Sequence, residues 1–397
     1  MRFDHALPSI SPTRIRRLRI GLICLHGAIN IPSWLGNADS IEAALVRQGA
    51  DVVRIDLNNE PRSLLYKAKH VVLRKMLKQG YSRHREPALL RHYGRLVASA
   101  AAARKVDVIL ALTAMPVAEA ESDIPIAFWN DAPFAGMLNW YPTFSGMGQG
   151  PIDHGHAMER GAHRRSALAI YSSRWAADIA VNAYGADPNR VAVVAFGPNI
   201  PVIWDRDYVV QRIEARLRRP YRLVWLGVEW HRKGGDTAVA IAKEMHAAGL
   251  PVELIIAGTK PPDGVARLPY VTLRGFLAKD DVRTLLDSAT LLVLPSRADL
   301  SPIVFSEASA LGVPVISRPI GGIPEIIHHG RNGMLYGDDV SSETIAAEIG
   351  RVLLDRSAYT KLSLNAYMEF QTRLNWDVAA RRICDMLATL SRHKVGV

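Results

Sequence analysis

Residues 291–327 read LLVLPSRADLSPIVFSEASALGVPVISRPIGGIPEII, and this stretch decides the fold. Residues 291–294 form a short continuous apolar run, which is typical of a strand buried in a parallel sheet. A polar loop follows, then a helix that begins near Ser306, and then a second apolar strand at residues 313–317. A strand, a helix and a strand in succession predict a parallel α/β sheet.

Two carboxylates and a pair of glycines flank these strands. Asp299 follows the first strand, Glu307 lies close to the helix start, and Gly321-Gly322 follows the second strand. Open α/β sheets bind ligands beyond the carboxyl ends of their strands, so we predict that these residues meet at one site. Each also has an ordinary explanation when taken singly, as a turn former, a first-turn acid or a tight turn.

The same alternation of strands and helices runs through the rest of the chain. A length of 397 residues favours two domains, and the turn residues at 196–199 form the predicted hinge. We predict an α/β fold with two Rossmann-like domains, residues 1–200 and 201–375, that face each other across a cleft. A terminal helix at 376–397 is free to pack back on the first domain. The predicted strands lie at residues 19–25, 52–55, 106–112, 124–129, 167–171, 191–196, 221–226, 252–257, 271–273, 291–294, 313–317 and 334–336.

The composition argues against several classes of protein. Hydrophobic residues make up 49% of the chain and charged residues 22%, as in ordinary globular proteins. Cys24 and Cys384 are the only cysteines, so a disulfide framework or a cysteine-bound zinc ion is not expected. There is no apolar run of roughly 18 residues that could span a membrane, and the N-terminal residues lack the features of a signal peptide. We therefore expect a cytoplasmic protein, with peripheral contact at the inner membrane face left open.

The positive charge is concentrated in residues 62–105. This segment holds twelve basic residues and one acid, Glu86, which accounts for the net charge of +11. Apolar residues recur at helical spacing within it, so we predict two basic amphipathic helices. Their basic face is either a solvated surface or a docking face for anionic lipid or an acidic acceptor. Nucleic acid is not expected as a partner, because no nucleic-acid module accompanies the basic stripe.

Three parts of the first half carry further candidates. The loop after the first strand holds Gly36 and Asn37, and no G-x-G-x-x-G dinucleotide motif follows that strand. Asp131 follows the strand at 124–129. Residues 141–155 are rich in glycine and are predicted to form a mobile loop. Histidines lie close by, but we expect no metal site, because no spaced carboxylate or thiolate joins them; they are His154, His156 and His163.

The second half begins with a candidate phosphate site. Gly227 ends the first strand of this half, and the sequence HRKGG at 231–235 leads into a helix. Backbone N–H groups at a helix start, together with Arg232 and Lys233, suit the negative charge of a diphosphate.

These motifs together resemble glycosyltransferase family 4, whose members are retaining enzymes with the GT-B fold that use nucleotide sugars. The family's hallmark is Glu, seven residues, Glu, and Asp299 and Glu307 stand at these two places. The resemblance implies that Glu307 binds the ribose, Asp299 faces the donor sugar, and Lys233 holds the diphosphate. Gly321 and Gly322 would lie close to the ligand. It also implies two groups of lining residues, Leu300, Ser301, Pro302 and Ile303 at the sugar and Gly275, Phe276 and Leu277 at the nucleobase.

The first half is similar to a subgroup of the same family, in WLGN at 34–37 and NDAPF at 130–134. Many relatives carry a histidine near the reacting centre, and we predict that Asp131 replaces it. Val228 stands where the family usually has Arg, so either Arg232 serves instead or one phosphate contact is lost. Pro302 stands where glycine is common and has no N–H to donate to the donor.

The resemblance implies transfer of a sugar from a nucleotide-diphosphate sugar to an acceptor hydroxyl, with retention and without a metal or other cofactor. The leaving phosphate is thought to deprotonate the acceptor, so no protein nucleophile is required. Two alternatives stay open. One is a nucleotide-sugar epimerase or hydrolase with the same fold, and the other is a degenerate nucleotide-binding or scaffold protein.

Overall fold

The computed structural model describes residues 17–25, 32–57, 64–202 and 205–392, without the side chains of residues 32–36, 64 and 67. Arg62 and residues 393–397, which belong to the predicted basic segment and terminal helix, lie outside the described residues. The described chain contains two six-stranded sheets, both flanked by helices. All of the strand pairs in them are parallel, as predicted.

The first domain is built on a sheet with the strand order β2-β1-β3-β4-β5-β6. The central strands β3, β4 and β5 are almost entirely apolar and are buried along their whole length. The strands are β1 (Arg19–Cys24), β2 (Asp51–Asp56), β3 (Val108–Ala111), β4 (Ile126–Asn130), β5 (Leu168–Tyr171) and β6 (Val191–Val193).

Helices cover both faces of this sheet. A π-helical turn at Val71–Met76 extends α2, and short 3-10 turns lie at Arg83–Arg85, Met115–Val117, Pro142–Phe144 and Pro188–Arg190. The helices are α1 (Pro32–Arg47), α2 (Leu64–His70), α3 (Pro87–Ala103), α4 (Phe134–Met137), α5 (Gln149–Arg165) and α6 (Arg174–Tyr184).

The second domain has a sheet with the order β12-β11-β10-β7-β8-β9. Its strands are β7 (Tyr221–Leu226), β8 (Val252–Ala257), β9 (Val271–Gly275), β10 (Leu291–Val293), β11 (Val315–Ser317) and β12 (Gly333–Leu335). Its helices are α7 (Arg206–Arg216), α8 (Gly235–Ala247), α9 (Lys279–Ser288), α10 (Ile303–Ala310), α11 (Ile323–Ile326), α12 (Ser342–Leu354) and α13 (Arg356–Thr372), with a 3-10 turn at Val265–Arg267.

The last described helix, α14 (Trp376–Arg392), returns to the first domain and lies against α1. Its buried residues Trp376, Ile383 and Leu387 share one apolar core with residues of β1 and β3. The Trp376 indole donates a hydrogen bond to the Pro198 carbonyl at 2.7 Å. None of the helices in the described ranges is long and apolar enough to cross a bilayer.

Two predicted loops are wrong in part. Helix α1 already begins at Pro32, so Gly36 and Asn37 belong to a helix. Residues 149–155 belong to α5, although glycines suggested a loop. Gly155 is needed in this helix for close packing, because a β-carbon there would lie 2.4 Å from the Phe134 ring.

Candidate functional site

The carboxyl ends of the second domain's strands carry most of the predicted residues. β11, β10 and β7 are neighbours in the sheet. Their following loops hold Gly321-Gly322, Asp299 and Lys233 in the same order. The sheet therefore places the glycine pair, Asp299 and Lys233 side by side.

Lys233 and Asp299 contact each other directly. The Lys233 ammonium lies 2.5 Å from an Asp299 carboxylate oxygen, and the Ser296 hydroxyl donates to the same oxygen at 3.1 Å. Only 14% of the Lys233 side chain and 8% of the Asp299 side chain are exposed. Two residues that were assigned to different parts of a ligand therefore form one mostly buried ion pair.

Tight backbone packing places the start of α8 next to this pair. Gly234 has a φ of +67° and lies against the loop after β10. A β-carbon at Gly234 would be only 2.1 Å from the Pro295 carbonyl oxygen. Gly227 packs against the Lys233 side chain, with 3.2 Å between a β-carbon built there and Cγ. The N–H groups at the start of α8 and the Lys233 ammonium together form a site suited to an anion.

Arg232 is held on three sides. Its guanidinium donates to the Ala298 carbonyl at 2.7 Å and pairs with the Glu229 carboxylate. Its third contact comes from the first domain, where the Tyr141 ring centroid lies 5.0 Å from the guanidinium carbon. Val228, at the position where an arginine was expected from the resemblance, is 57% exposed.

The residues predicted to line the sugar site, at positions 300–303, lie where the loop after β10 enters α10. The Gly322 N–H donates to the Leu300 carbonyl at 3.0 Å, and Gly321, with a φ of +52°, lies against the Asp299 carbonyl. Pro302 caps α10, which begins at Ile303 and not near Ser306 as the sequence suggested. The proline fits the entry to a helix, because its fixed φ is already close to the helical value.

Glu307 lies deeper, at the junction of the two domains. Its carboxylate accepts a hydrogen bond from the Asn199 N–H at 3.2 Å, and burial raises its pKa to about 7. The Asn199 side chain continues the network, since it donates to Asn37 at 2.5 Å and accepts from Ser40 at 3.1 Å. Asn37 and Glu307 thus belong to one network, and Asn199, predicted only as a hinge residue, connects them.

The predicted nucleobase loop lies at the end of β9. Gly275 has a φ of +61°, and its carbonyl accepts from the Gly258 N–H at 2.7 Å. Phe276 is 80% exposed, whereas Leu277 packs against the core of the second domain. Lys279, just beyond this loop, lies close enough to Glu307 for its charge to lower the pKa of that carboxyl.

Asp131 faces this site from the first domain. It follows β4, and its carboxylate accepts from the Ala132 N–H at 2.9 Å. Burial raises the pKa of Asp131 to about 6, and the negative charge of Asp299 raises it further. The structure therefore brings these two carboxyl groups near each other across the cleft.

A buried pair of charged residues, missed by the sequence analysis, supports the segment that follows Asp131. Glu159 is fully buried in α5 and accepts from the Phe134 N–H at 2.8 Å. Burial raises the pKa of Glu159 to about 7, whereas the Arg85 charge lowers it. Glu159 lies one turn after Gly155, so the i, i+4 spacing would have indicated a shared face had α5 been predicted.

The three nearby histidines have separate partners. His154 lies 3.5 Å from the Glu86 carboxylate, His156 is 3.0 Å from the Tyr184 hydroxyl, and His163 is 3.2 Å from the Tyr171 hydroxyl. Within the described ranges, no group of three or more His, Cys, Asp or Glu side chains is arranged to hold a metal ion. Metal independence stays a prediction.

Solved structures with the same architecture define the fold. The chain matches the crystal structure of Anabaena HepE in complex with UDP and glucose, with a TM-score of 0.60 and 16% identity over 94% of this chain and 100% of that one. It also matches sucrose-phosphate synthase from Thermosynechococcus elongatus, with a TM-score of 0.66 and 16% identity over 95% and 100% of the two chains. The fold is therefore GT-B, as predicted.

Sequence comparison relates the second domain to known glycosyltransferases. Residues 220–355, which lie within the second domain, match the family model described as "Glycosyl transferases group 1". A GDP-mannose-dependent alpha-(1-6)-phosphatidylinositol monomannoside mannosyltransferase from Mycobacterium tuberculosis is 30% identical over 196 residues, 44% of this chain and 50% of the relative. A D-inositol 3-phosphate glycosyltransferase from Nocardioides is 25% identical over 232 residues, 52% of this chain and 50% of the relative. The chain spans about half the length of the curated relatives it matches.

Proposed function

We propose that this protein is a retaining glycosyltransferase that moves a sugar from a nucleoside-diphosphate sugar to an acceptor hydroxyl. The main observation behind this proposal is that Lys233, the start of α8 and the Gly321-Gly322 turn surround Asp299. They lie in a cleft closed by the first domain. The kinship of the second domain with group 1 glycosyltransferases supports the proposal. The named relatives act on sugars, and HepE was solved with UDP.

The main requirement of this reaction is stabilisation of the negative charge on the leaving group. A departing nucleoside diphosphate gains negative charge, and preorganised cations and N–H groups stabilise that charge in a dry site. The diphosphate would compete with Asp299 for the Lys233 ammonium, which would leave the Asp299 carboxylate to accept from hydroxyls of the donor sugar. The ribose hydroxyls would likewise replace the Asn199 N–H at Glu307. The leaving phosphate takes the acceptor proton on the same face, so the reaction needs neither a protein nucleophile nor a metal.

The two alternatives make different predictions. An epimerase or hydrolase of the same fold would convert the donor without an acceptor. A degenerate scaffold protein, which Val228 and Pro302 would suit, would bind no nucleoside diphosphate or would bind one without turnover. Transfer is favoured because Lys233, Asp299 and the glycine turn lie together, and Glu307 is present at the domain junction.

The first experiment is a thermal-shift panel of UDP, GDP, ADP and dTDP, followed by their common hexose derivatives. A ligand of the folded state at 100 times its Kd raises the free energy of unfolding by about 2.7 kcal/mol, and the midpoint rises with it. NMR of the bound donor, with and without candidate acceptors, then separates transfer from hydrolysis and reports the anomeric configuration of the product. No shift with any of these ligands would contradict the proposal.

We also propose that the protein docks on an anionic membrane through residues 64–78, which we call the docking segment. Its apolar residues are largely uncovered, with Leu65 80%, Met76 71% and Leu77 56% exposed. Arg74, Lys75 and Lys78 lie among them. By contrast, the apolar face of α3 is buried in the first domain's core, so this proposal is narrower than the 62–105 segment expected from charge alone.

A further inference from the structure

Tyr141 lies at the start of the glycine-rich residues 141–155 of the first domain. It directly precedes the turn at Pro142–Phe144, and its carbonyl accepts from the Phe144 N–H at 2.8 Å and the Ser145 hydroxyl at 2.9 Å. The preceding Trp140 stacks on Trp175, with 5.3 Å between ring centroids and 12° between planes. Tyr141 is thus held by its neighbours on both sides.

The ring of Tyr141 crosses the cleft. Its centroid lies 5.0 Å from the guanidinium carbon of Arg232 in the second domain. This distance is within the range of an attractive cation–π contact, which strengthens as water is removed. Burial raises the pKa of the Tyr141 phenol, and the charge of Asp299 raises it further, so the phenol is neutral at physiological pH.

Arg232 is the only arginine in HRKGG, and Val228 cannot replace it. Its other two contacts, the Ala298 carbonyl and the Glu229 carboxylate, both belong to the second domain. Glu229 is roughly half exposed, so its hold on the guanidinium is weakened by solvent. The aromatic ring is the contact that depends on the position of the first domain.

We propose that Tyr141 is a positioning residue of the donor site: its ring fixes the Arg232 guanidinium for the donor diphosphate when the cleft is closed. The proposal rests on the proposed function, because it assigns the diphosphate to Arg232. It makes donor affinity depend on a residue of the first domain. It also gives a role to the tryptophan stack, which fixes the backbone that carries Tyr141.

The test is calorimetric titration of the 397-residue chain with UDP and with GDP. Tyr141→Leu removes the ring and is expected to weaken binding of the nucleotide that binds by about 2- to 30-fold, the range of a cation–π contact converted at tenfold per 1.4 kcal/mol. Tyr141→Phe keeps the aromatic face and should stay within about twofold of wild type. Thermal melting of each variant checks that it is folded.

A double-mutant cycle separates positioning from general packing. If Tyr141 acts through Arg232, then Tyr141→Leu should have no further effect on affinity in an Arg232→Ala background. Additive losses, or a Tyr141→Leu variant that binds as wild type does, would overturn the role of Tyr141 and leave the proposed function intact. If wild type binds none of the four nucleotides in the thermal-shift panel, UDP and GDP included, the proposed function is overturned and this proposal with it.

Discussion

At the scale of single residues, the ion pair between Lys233 and Asp299 determines what a substitution will do. Both side chains are mostly buried, so removing one leaves the other charge without a partner. We expect Lys233→Ala to lower kcat/KM by about 100- to 1,000-fold, the usual effect of losing a charge-stabilising donor. The same variant should lose about 3 kcal/mol of unfolding free energy, because the Asp299 carboxylate stays buried. Turnover of the donor and urea denaturation measure the two effects.

A second variant separates these effects. Lys233→Ala combined with Asp299→Asn removes both charges, so most of the stability should return while the rate stays low. A double variant that regains turnover would show that the Lys233 charge is not needed for the leaving group. A Lys233→Ala variant with near-wild-type turnover would lead to the same conclusion.

At the scale of elements, α2 with its π-helical extension and α3 share a basic composition but differ in what they bury. The apolar residues of α3 pack on the sheet, whereas those of the docking segment are exposed. Each basic residue near an anionic surface contributes about 1 kcal/mol, so changing Arg74, Lys75 and Lys78 to Gln should weaken binding to phosphatidylserine vesicles by roughly 100-fold. Sedimentation at low and high salt measures this, and salt should weaken wild-type binding as well.

The matched control removes the same charge elsewhere. Arg381, Arg382 and Arg392 are exposed on α14, and changing all three to Gln should leave vesicle binding close to wild type. Equal losses in the two triple variants would indicate a general charge effect and no specific docking surface. Leu65→Ser with Met76→Ser tests the apolar part of the contact separately.

The terminal helix α14 is expected to carry much of the first domain's stability. Trp376 is 6% exposed, packs against Trp129 and Phe196, and donates to the Pro198 carbonyl. Trp376→Ala should therefore cost about 3–5 kcal/mol of unfolding free energy. Arg382→Ala on the exposed face of the same helix should change it by less than about 0.5 kcal/mol. Chemical denaturation compares them, and equal midpoints would contradict the packing role.

Elements whose pattern is local were predictable, and those that depend on distant contacts were not. The run at 291–294 gave β10 because a buried parallel strand leaves a continuous apolar sequence. The start of α5 was missed because its glycines look like loop residues. Only the fold shows that Gly155 accommodates the Phe134 ring. The start of α10 also differs from the prediction, since Pro302 caps the helix and Ile303 begins it, three residues before Ser306.

The candidate site likewise has a part that was predictable from sequence and a part that was not. The second domain's part follows neighbouring strands of one sheet. The sequence order already places Asp299 beside Gly321, because β10 and β11 are consecutive, whereas Lys233 joins them only because β10 pairs with β7. The first domain's contribution depends on how the two domains meet. Tyr141 and Asn199 reach the site through contacts that cross between domains, and no spacing in the sequence indicates such contacts.

At the scale of the whole molecule, three buried carboxyl groups have raised pKa values, one at the junction between the domains and two in the first domain. Burial raises the pKa of Asp131 to about 6 and those of Glu159 and Glu307 to about 7. A carboxyl group whose folded pKa exceeds its unfolded pKa stabilises the fold below the unfolded pKa, and this contribution is lost as the pH rises through the folded pKa. As the pH rises from about 4 to 7, the unfolding free energy should therefore fall because these groups ionise.

Glu307→Gln checks one member of this set. Its amide oxygen can accept the same hydrogen bond from Asn199, but it does not titrate. We expect the variant to match wild type near pH 4 and to be more stable by up to about 3 kcal/mol at pH 8. Denaturation curves across this range measure the difference. Parallel profiles for the two proteins would show that the Glu307 carboxyl does not contribute.

The return of α14 to the first domain means that the polypeptide passes between the domains twice, once near Gly197 and once near Trp376. These two passages touch, because a β-carbon at Gly197 would lie 2.4 Å from the Trp376 backbone nitrogen. Two connections at one point act as a pivot. We therefore expect the domains to swing about this point, so that displacement grows with distance from it. The Tyr141 ring and its arginine partner, on the substrate side of the junction, would then separate before Asn199 and Glu307 at the pivot do.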